Sequence, residues 1–125
     1  MGLQKSREDY LEAILIISNR RGSCRSIDVA EHLGFQKSSV SVAVNKLKEN
    51  GLLKKDEKGF LFLTEEGRHL AKKIYERHIT ITSCLIAIGV DAKIAEEDAC
   101  RIEHVMSDES FQKIRLFSEQ ICNQE

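Results

Sequence analysis

Residues 26–51 read SIDVAEHLGFQKSSVSVAVNKLKENG, two helical periods divided by one glycine. In the first, Ile27, Ala30 and Leu33 recur at helical spacing, Ser26 is placed to cap and Gly34 to terminate. In the second, residues 38–51, Val40, Ala43, Val44 and Leu47 form one apolar stripe that runs out at Gly51. Ser41, Asn45 and Lys48 fall on its opposite, polar face. Two short helices joined by a tight turn make a helix-turn-helix candidate. LLKKDEKGFLFLT, residues 52–64, then reads as two short strands around a turn at residues 56–59. The pattern is that of a winged helix.

Such a module enters the DNA major groove amino end first with its second helix. That helix would present Gln36, Lys37, Ser38, Ser39, Ser41 and Asn45 to bases and phosphates, with Lys54, Lys55 and Lys58 of the wing near the backbone. Residues 36–58 hold six lysines against three acids, whereas residues 90–110 hold seven acids against two basic residues. The whole chain carries a net charge of only -1, so a nucleic-acid surface must be a local patch, and the segregated charge puts it on the helix-turn-helix and wing.

Outward from this module, residues 6–19 form a helix with Tyr10, Ala13, Ile14 and Ile17 inward and Ser6 as cap. After the wing, residues 64–89 are a long helical segment whose stripe runs Leu70, Ile74, His78, Ile81, Leu85. Residues 91–106 supply another helix with Ile94, Ala99, Ile102 and Met106 on its apolar side. Residues 107–121 supply the last, with Phe111, Ile114 and Phe117 inward and Ser107 as cap. The expected fold is mostly α: a winged helix-turn-helix DNA-binding domain over residues 1–70, then an all-helical metal-binding and dimerisation domain over residues 71–125. Helices that follow a winged helix in so small a protein dimerise, because a symmetric operator needs a symmetric reader.

The bulk numbers fit that plan. The chain has 125 residues, 42% of them hydrophobic, and no proline, so it can build a real core with short linkers. No stretch approaches the roughly 18 apolar residues of a membrane span, and the amino end lacks a signal-peptide core, so a cytoplasmic protein without membrane attachment is expected. Four widely spaced cysteines, Cys24, Cys84, Cys100 and Cys122, fit free thiols better than a disulfide framework.

ACRIEHVMSD, residues 99–108, sets Cys100, Glu103 and His104 at i, i+3 and i+4, where a helix would put thiol, carboxylate and imidazole on one face. Taken alone, that face is either a metal site or ordinary packing. A second acidic pair one turn apart, Asp9 and Glu12, and His78 on the long helix lie on segments that could converge beside it.

The order of helix, helix-turn-helix, wing, long helix with ERH and then DACRIEHVMSD resembles the diphtheria-toxin-repressor family, the iron- and manganese-dependent transcriptional repressors. The resemblance covers residues 6–120, with the CxxEH stretch its most specific part. It implies a dimeric, metal-dependent repressor that binds a palindromic double-stranded DNA operator. It also implies Asp9, Glu12, His78, Cys100, Glu103 and His104 as metal ligands. Asp9 and Glu12 resemble the manganese branch, while Cys100 stands where that branch has glutamate and the iron branch cysteine. For the iron branch's ancillary site His78 matches, but Thr82 stands where glutamate is expected and Glu96 where histidine is expected. The length resembles the shorter, two-domain manganese regulators.

Manganese(II) is a hard ion served by oxygen donors, and a thiolate favours iron(II), cobalt(II) or zinc(II). Iron(II) or manganese(II) is therefore the expected ion, with zinc(II), cobalt(II) or nickel(II) binding in vitro. The competing reading is a winged-helix regulator that answers to a small molecule or to oxidation of Cys100 or Cys24. Catalysis has no support, since there is no HExxH, nucleophile elbow or phosphate loop, and no small organic substrate is expected.

Overall fold

The computed structural model describes the backbone of residues 2–123 and the side chains of residues 7–120. The chain divides into two compact units, Met1–Lys72 and Lys73–Glu125. Among the described residues no helix is long and apolar enough to cross a membrane.

In the first unit, α1 (Gly2–Arg21) is followed by α2 (Ser26–Leu33), α3 (Lys37–Glu49) and an antiparallel pair, β1 (Leu53–Lys55) and β2 (Leu61–Leu63). The register pairs Leu53 with Leu63, Lys54 with Phe62 and Lys55 with Leu61. Helix α1 starts four residues before Ser6, so Ser6 is an interior helical position and not the expected cap; its side chain lies outside the described residues. The predicted stripe of Tyr10, Ala13, Ile14 and Ile17 is buried, and so are Leu11 and Leu15. Six buried apolar positions make α1 the centre of this unit, packed against α2, α3 and β2.

In the helix-turn-helix α2 has the predicted extent, whereas α3 spans Lys37–Glu49 where residues 38–51 were expected, and the details shift. Arg25, in extended conformation, is the N-cap of α2 in place of Ser26, and its N–H donates to the Asp28 carboxylate at 2.9 Å. The inner face of α2 is Val29, Ala30 and Leu33. Centring that face on Val29 turns Ile27, expected inward, out to the rim. Gly34 ends the helix at φ 72, a left-handed conformation that any side chain would strain. Val40, Val44 and Leu47 of α3 are buried beneath it.

Thr64 joins the wing to α4 (Glu65–Ala87), accepting from the Gly67 N–H at 3.1 Å and donating its hydroxyl to the Gly51 carbonyl at 2.8 Å. The first turn of α4 lies so close to the chain after α3 that a Cβ on Gly67 would sit 2.0 Å from the Leu52 carbonyl oxygen. Only glycine fits that approach.

The second unit comprises the later turns of α4, then α5 (Ala92–Ile102) and α6 (Asp108–Asn123). Asp91 caps α5 by accepting from the Lys93 N–H at 3.1 Å, and Ser107 caps α6 as predicted, accepting from Ser110 N–H at 3.1 Å. Ile74, Ile81, Ala95, Ala99 and Phe111 are buried. Three expectations fail here. Helix α5 ends at Ile102 and not at residue 106, which leaves residues 103–106 as a turn. Ile94 is exposed because the phase of α5 is set one residue further on, by the small pair Ala95 and Ala99. Phe117 is exposed as well, since Phe111 and the half-buried Ile114 define the inner face of α6. Among the described cysteines Cys24, Cys84 and Cys100 are free, and the side chain of Cys122 lies outside the described residues.

Candidate metal centre and nucleic-acid interface

Inside the second unit, His78 from α4 meets Cys100 and Glu103 from the end of α5, with donor atoms of all three within 4.8 Å of one another. The placement follows from local structure. Cys100 is on the last turn of α5, and Glu103, its C-cap, keeps helical dihedrals, so the two stand one turn apart as the i, i+3 spacing predicts. His104 belongs to the following turn, with Nε2 3.4 Å from Glu103 Oε1.

The electrostatics turn on Glu103, whose side chain is 0% exposed. A buried carboxylate is costly unless positive charge faces it. His78 supplies that charge, its Nδ1 donating to Glu103 Oε2 at 3.0 Å, while Oε1 has no hydrogen bond among the described residues. Hydrogen bonds to Cys100 and then to Glu103 push the His78 pKa up to about 10 against the opposing effect of burial. The second nitrogen of His78 lies 3.9 Å from the exposed Glu96 carboxylate. A buried carboxyl group whose two oxygens face the imidazoles of His78 and His104, beside a thiol, is a donor set suited to a divalent transition ion, which would take the place of the His78 proton. Asp9 and Glu12 are half-buried on α1 in the first unit, one turn apart.

The predicted DNA-facing residues are all at the surface: Gln36, Lys37, Ser38, Ser39, Ser41 and Asn45 at and along α3, and Lys54, Lys55 and Lys58 on the wing. Sequence reasoning missed two further members of this surface. Val42, 60% exposed, stands among the polar residues of α3 as an apolar group on the outward face. Its signal was an alternating SVSV run that a single stripe could not bury. The other is Arg25, which donates to the Lys58 carbonyl at 2.6 Å and lies 4.5 Å from the centroid of the Phe60 ring, tying down the wing tip. Asp56 shapes that tip, accepting from the N–H groups of Lys58 and Phe60 at 2.9 Å each.

Cys24, one of the two thiols of the oxidation reading, is buried in the first unit. Burial, reinforced by the Asp28 carboxylate, pushes its pKa up to about 12, which makes it a poor thiolate.

The sequence profile of the iron dependent repressor N-terminal DNA binding domain matches residues 2–60, and that of the metal binding and dimerisation domain matches residues 64–122. The chain belongs to the iron-dependent repressor family. This repressor is 35% identical over 119 residues to an HTH-type transcriptional regulator of Methanocaldococcus jannaschii, covering 94% of this chain and 95% of that one. It is 34% identical over 112 residues to the transcriptional regulator MntR of Escherichia coli, covering 90% and 72%. The solved structure of the manganese regulator SloR superposes with a TM-score of 0.79 at 30% identity, covering 89% of this chain and 52% of that one. This repressor therefore spans about half the length of SloR. It is a metal-dependent transcriptional repressor with a winged-helix DNA-binding domain and a metal-binding and dimerisation domain.

Proposed function

We propose that this repressor takes a divalent ion, iron(II) or manganese(II), at His78, Cys100, Glu103 and His104, and in that state binds a palindromic operator as a homodimer. The observation that carries the reading is the buried Glu103 carboxylate, flanked within 4.8 Å by His78 and Cys100. Asp9 and Glu12 are proposed as further donors on the family resemblance and their one-turn spacing. Held by these side chains, an ion would supply the positive charge that the buried Glu103 carboxyl group faces, and operator binding would depend on its presence. Cys100 favours iron(II), whereas Asp9 and Glu12 suit the harder manganese(II), the metal of the regulator SloR.

On the DNA side, α3 would lie in the major groove with Gln36, Lys37, Ser38, Ser39, Ser41 and Asn45 on bases and phosphates, and Val42 placed for a thymine methyl. Lys54, Lys55 and Lys58 would sit on the backbone. Eight of the twelve exposed large apolar side chains among the described residues belong to the second unit, Ile79, Ile88, Ile94, Val105, Leu116 and Phe117 among them. That surface supports the homodimer.

The test is operator binding by chelator-stripped protein, titrated with iron(II) under anaerobic conditions, manganese(II) or zinc(II), with Cys100→Glu alongside. Affinity should rise steeply with metal, and the variant should shift preference towards manganese. Coupling is reciprocal: a 100-fold gain in operator affinity implies the same gain in metal affinity, roughly 2.7 kcal/mol. Equal DNA binding without metal refutes the switch and leaves a small-molecule or Cys100-oxidation regulator.

A further inference from the structure

The residue before His78 does something that neither the donor set nor DNA reading requires. Arg77 is a charged side chain only 6% exposed, which calls for partners that compensate its burial. Its partners all belong to the segment that follows Cys100. One terminal nitrogen donates to the carbonyls of Glu103 at 3.0 Å and Met106 at 2.7 Å. The other donates to the Asp108 carboxylate, which Lys73 also contacts at 3.2 Å. The guanidinium carbon lies 5.3 Å from the centroid of the Phe111 ring.

These interactions answer a structural need. Helix α5 stops at Ile102, and the carbonyls of the turn beyond it have no helical partners. Residues 103–106 make a non-helical turn, held from within by hydrogen bonds from the N–H groups of Val105 and Met106 to the Ile102 carbonyl. Arg77 takes the carbonyls at the beginning and end of that turn with one terminal nitrogen, while Asp108 at the start of α6 holds the other prong of the guanidinium fork. The turn is the one that carries Glu103 and His104, and the clamp springs from the neighbour of His78.

We propose that Arg77, oriented by Asp108, is a positioning residue for the metal centre: by pinning the turn of residues 103–106 to α4, it holds Glu103 and His104 in register with His78 and Cys100. Arg77 donates no lone pair and touches no ion. It removes the freedom of the turn before binding, so that metal affinity does not have to offset ordering of the donors.

The inference rests on the metal reading above, and cobalt(II) without DNA separates the two. Wild-type protein should bind cobalt(II) with a thiolate charge-transfer band that Cys100→Ser abolishes; absence of that band defeats the metal reading itself. Given the band, Arg77→Gln should weaken cobalt(II) binding by about 10- to 100-fold, measured by chelator competition, and should alter the visible spectrum at saturation. Arg77→Lys keeps the charge but not the fork and should recover part of the loss. Asp108→Asn, at an exposed carboxylate, should keep the fold and lower affinity several-fold. A purely structural role would lower the melting temperature of the metal-free protein while leaving the saturated spectrum and the affinity of folded protein unchanged. Affinities within about twofold of wild type, with an unchanged spectrum in folded Arg77→Lys and Asp108→Asn, overturn the proposal.

Discussion

Metal loading of this repressor should release protons, and His78 should contribute one of them. Its pKa is raised to about 10 by hydrogen bonds to Cys100 and Glu103, so at pH 7 the metal-free protein holds a protonated imidazole there. An ion that uses this nitrogen must displace that proton. Working from about 10 down to pH 7, deprotonation costs about 4 kcal/mol, and apparent affinity should rise about tenfold per pH unit for this group alone. The same shift acts in the opposite sense on the metal-free fold. A raised pKa contributes stability that is fully present below 6.5 and disappears as pH rises through about 10. Alkaline titration should therefore weaken the metal-free protein while favouring the loaded one. Calorimetric titration with cobalt(II) at pH 7, in two buffers of different ionisation enthalpy, counts the protons. About one should be assigned to His78 and vanish in His78→Gln. If the wild type releases no more protons than His78→Gln, the imidazole is not a ligand and the reasoning fails.

Other outcomes follow from the same geometry. Gly67→Ala places a Cβ 2.0 Å from the Leu52 carbonyl oxygen, so the first turn of α4 must move. Against a helix gain of about 0.5–1 kcal/mol, overpacking of about 1–3 kcal/mol should lower the urea midpoint; an unchanged or higher midpoint contradicts the close approach. Replacing Lys54, Lys55 and Lys58 together by alanine should flatten the salt dependence of operator binding by about 0.9 in log–log slope for each phosphate no longer neutralised, with little change in sequence preference. An unaltered slope would remove the wing from the interface. In thiol-alkylation kinetics Cys24 should react only on unfolding, whereas Cys100 should react in the native metal-free protein and be protected by added metal. Fast native labelling of Cys24 would contradict its burial.

Which features were legible in the sequence depends on the range of the interactions behind them. The period of Val40, Val44 and Leu47, the glycine at residue 34, the Asp56 turn and the Ser107 cap each draw on neighbours within a few positions, and local chemistry was enough to place them. The residues on the outward side of α3 followed from the same period, because what faces the core on one side of a helix fixes what faces water on the other. The i, i+3 pairing of Cys100 with Glu103 was equally local, and it survives although α5 stops before Glu103, because the C-cap keeps helical dihedrals.

Tertiary packing decided the rest. Ile27, Ile94 and Phe117 have the composition of core residues, yet the phase of each helix was set by which side its partners approach, through Val29, through Ala95 and Ala99, and through Phe111. Arg25 as cap and wing anchor, Gly67 against Leu52 and Arg77 around the 103–106 turn link positions up to 33 residues apart, and no periodicity encodes them. The sequence by itself determined the order of elements and the chemical types of the donors. Only the folded chain brought His78 to Glu103, 25 residues away, and buried that carboxylate where an imidazole and a thiol face it. The reason is physical: local spacing selects helices and turns, whereas the charge state and reach of a buried group depend on what the rest of the chain places around it.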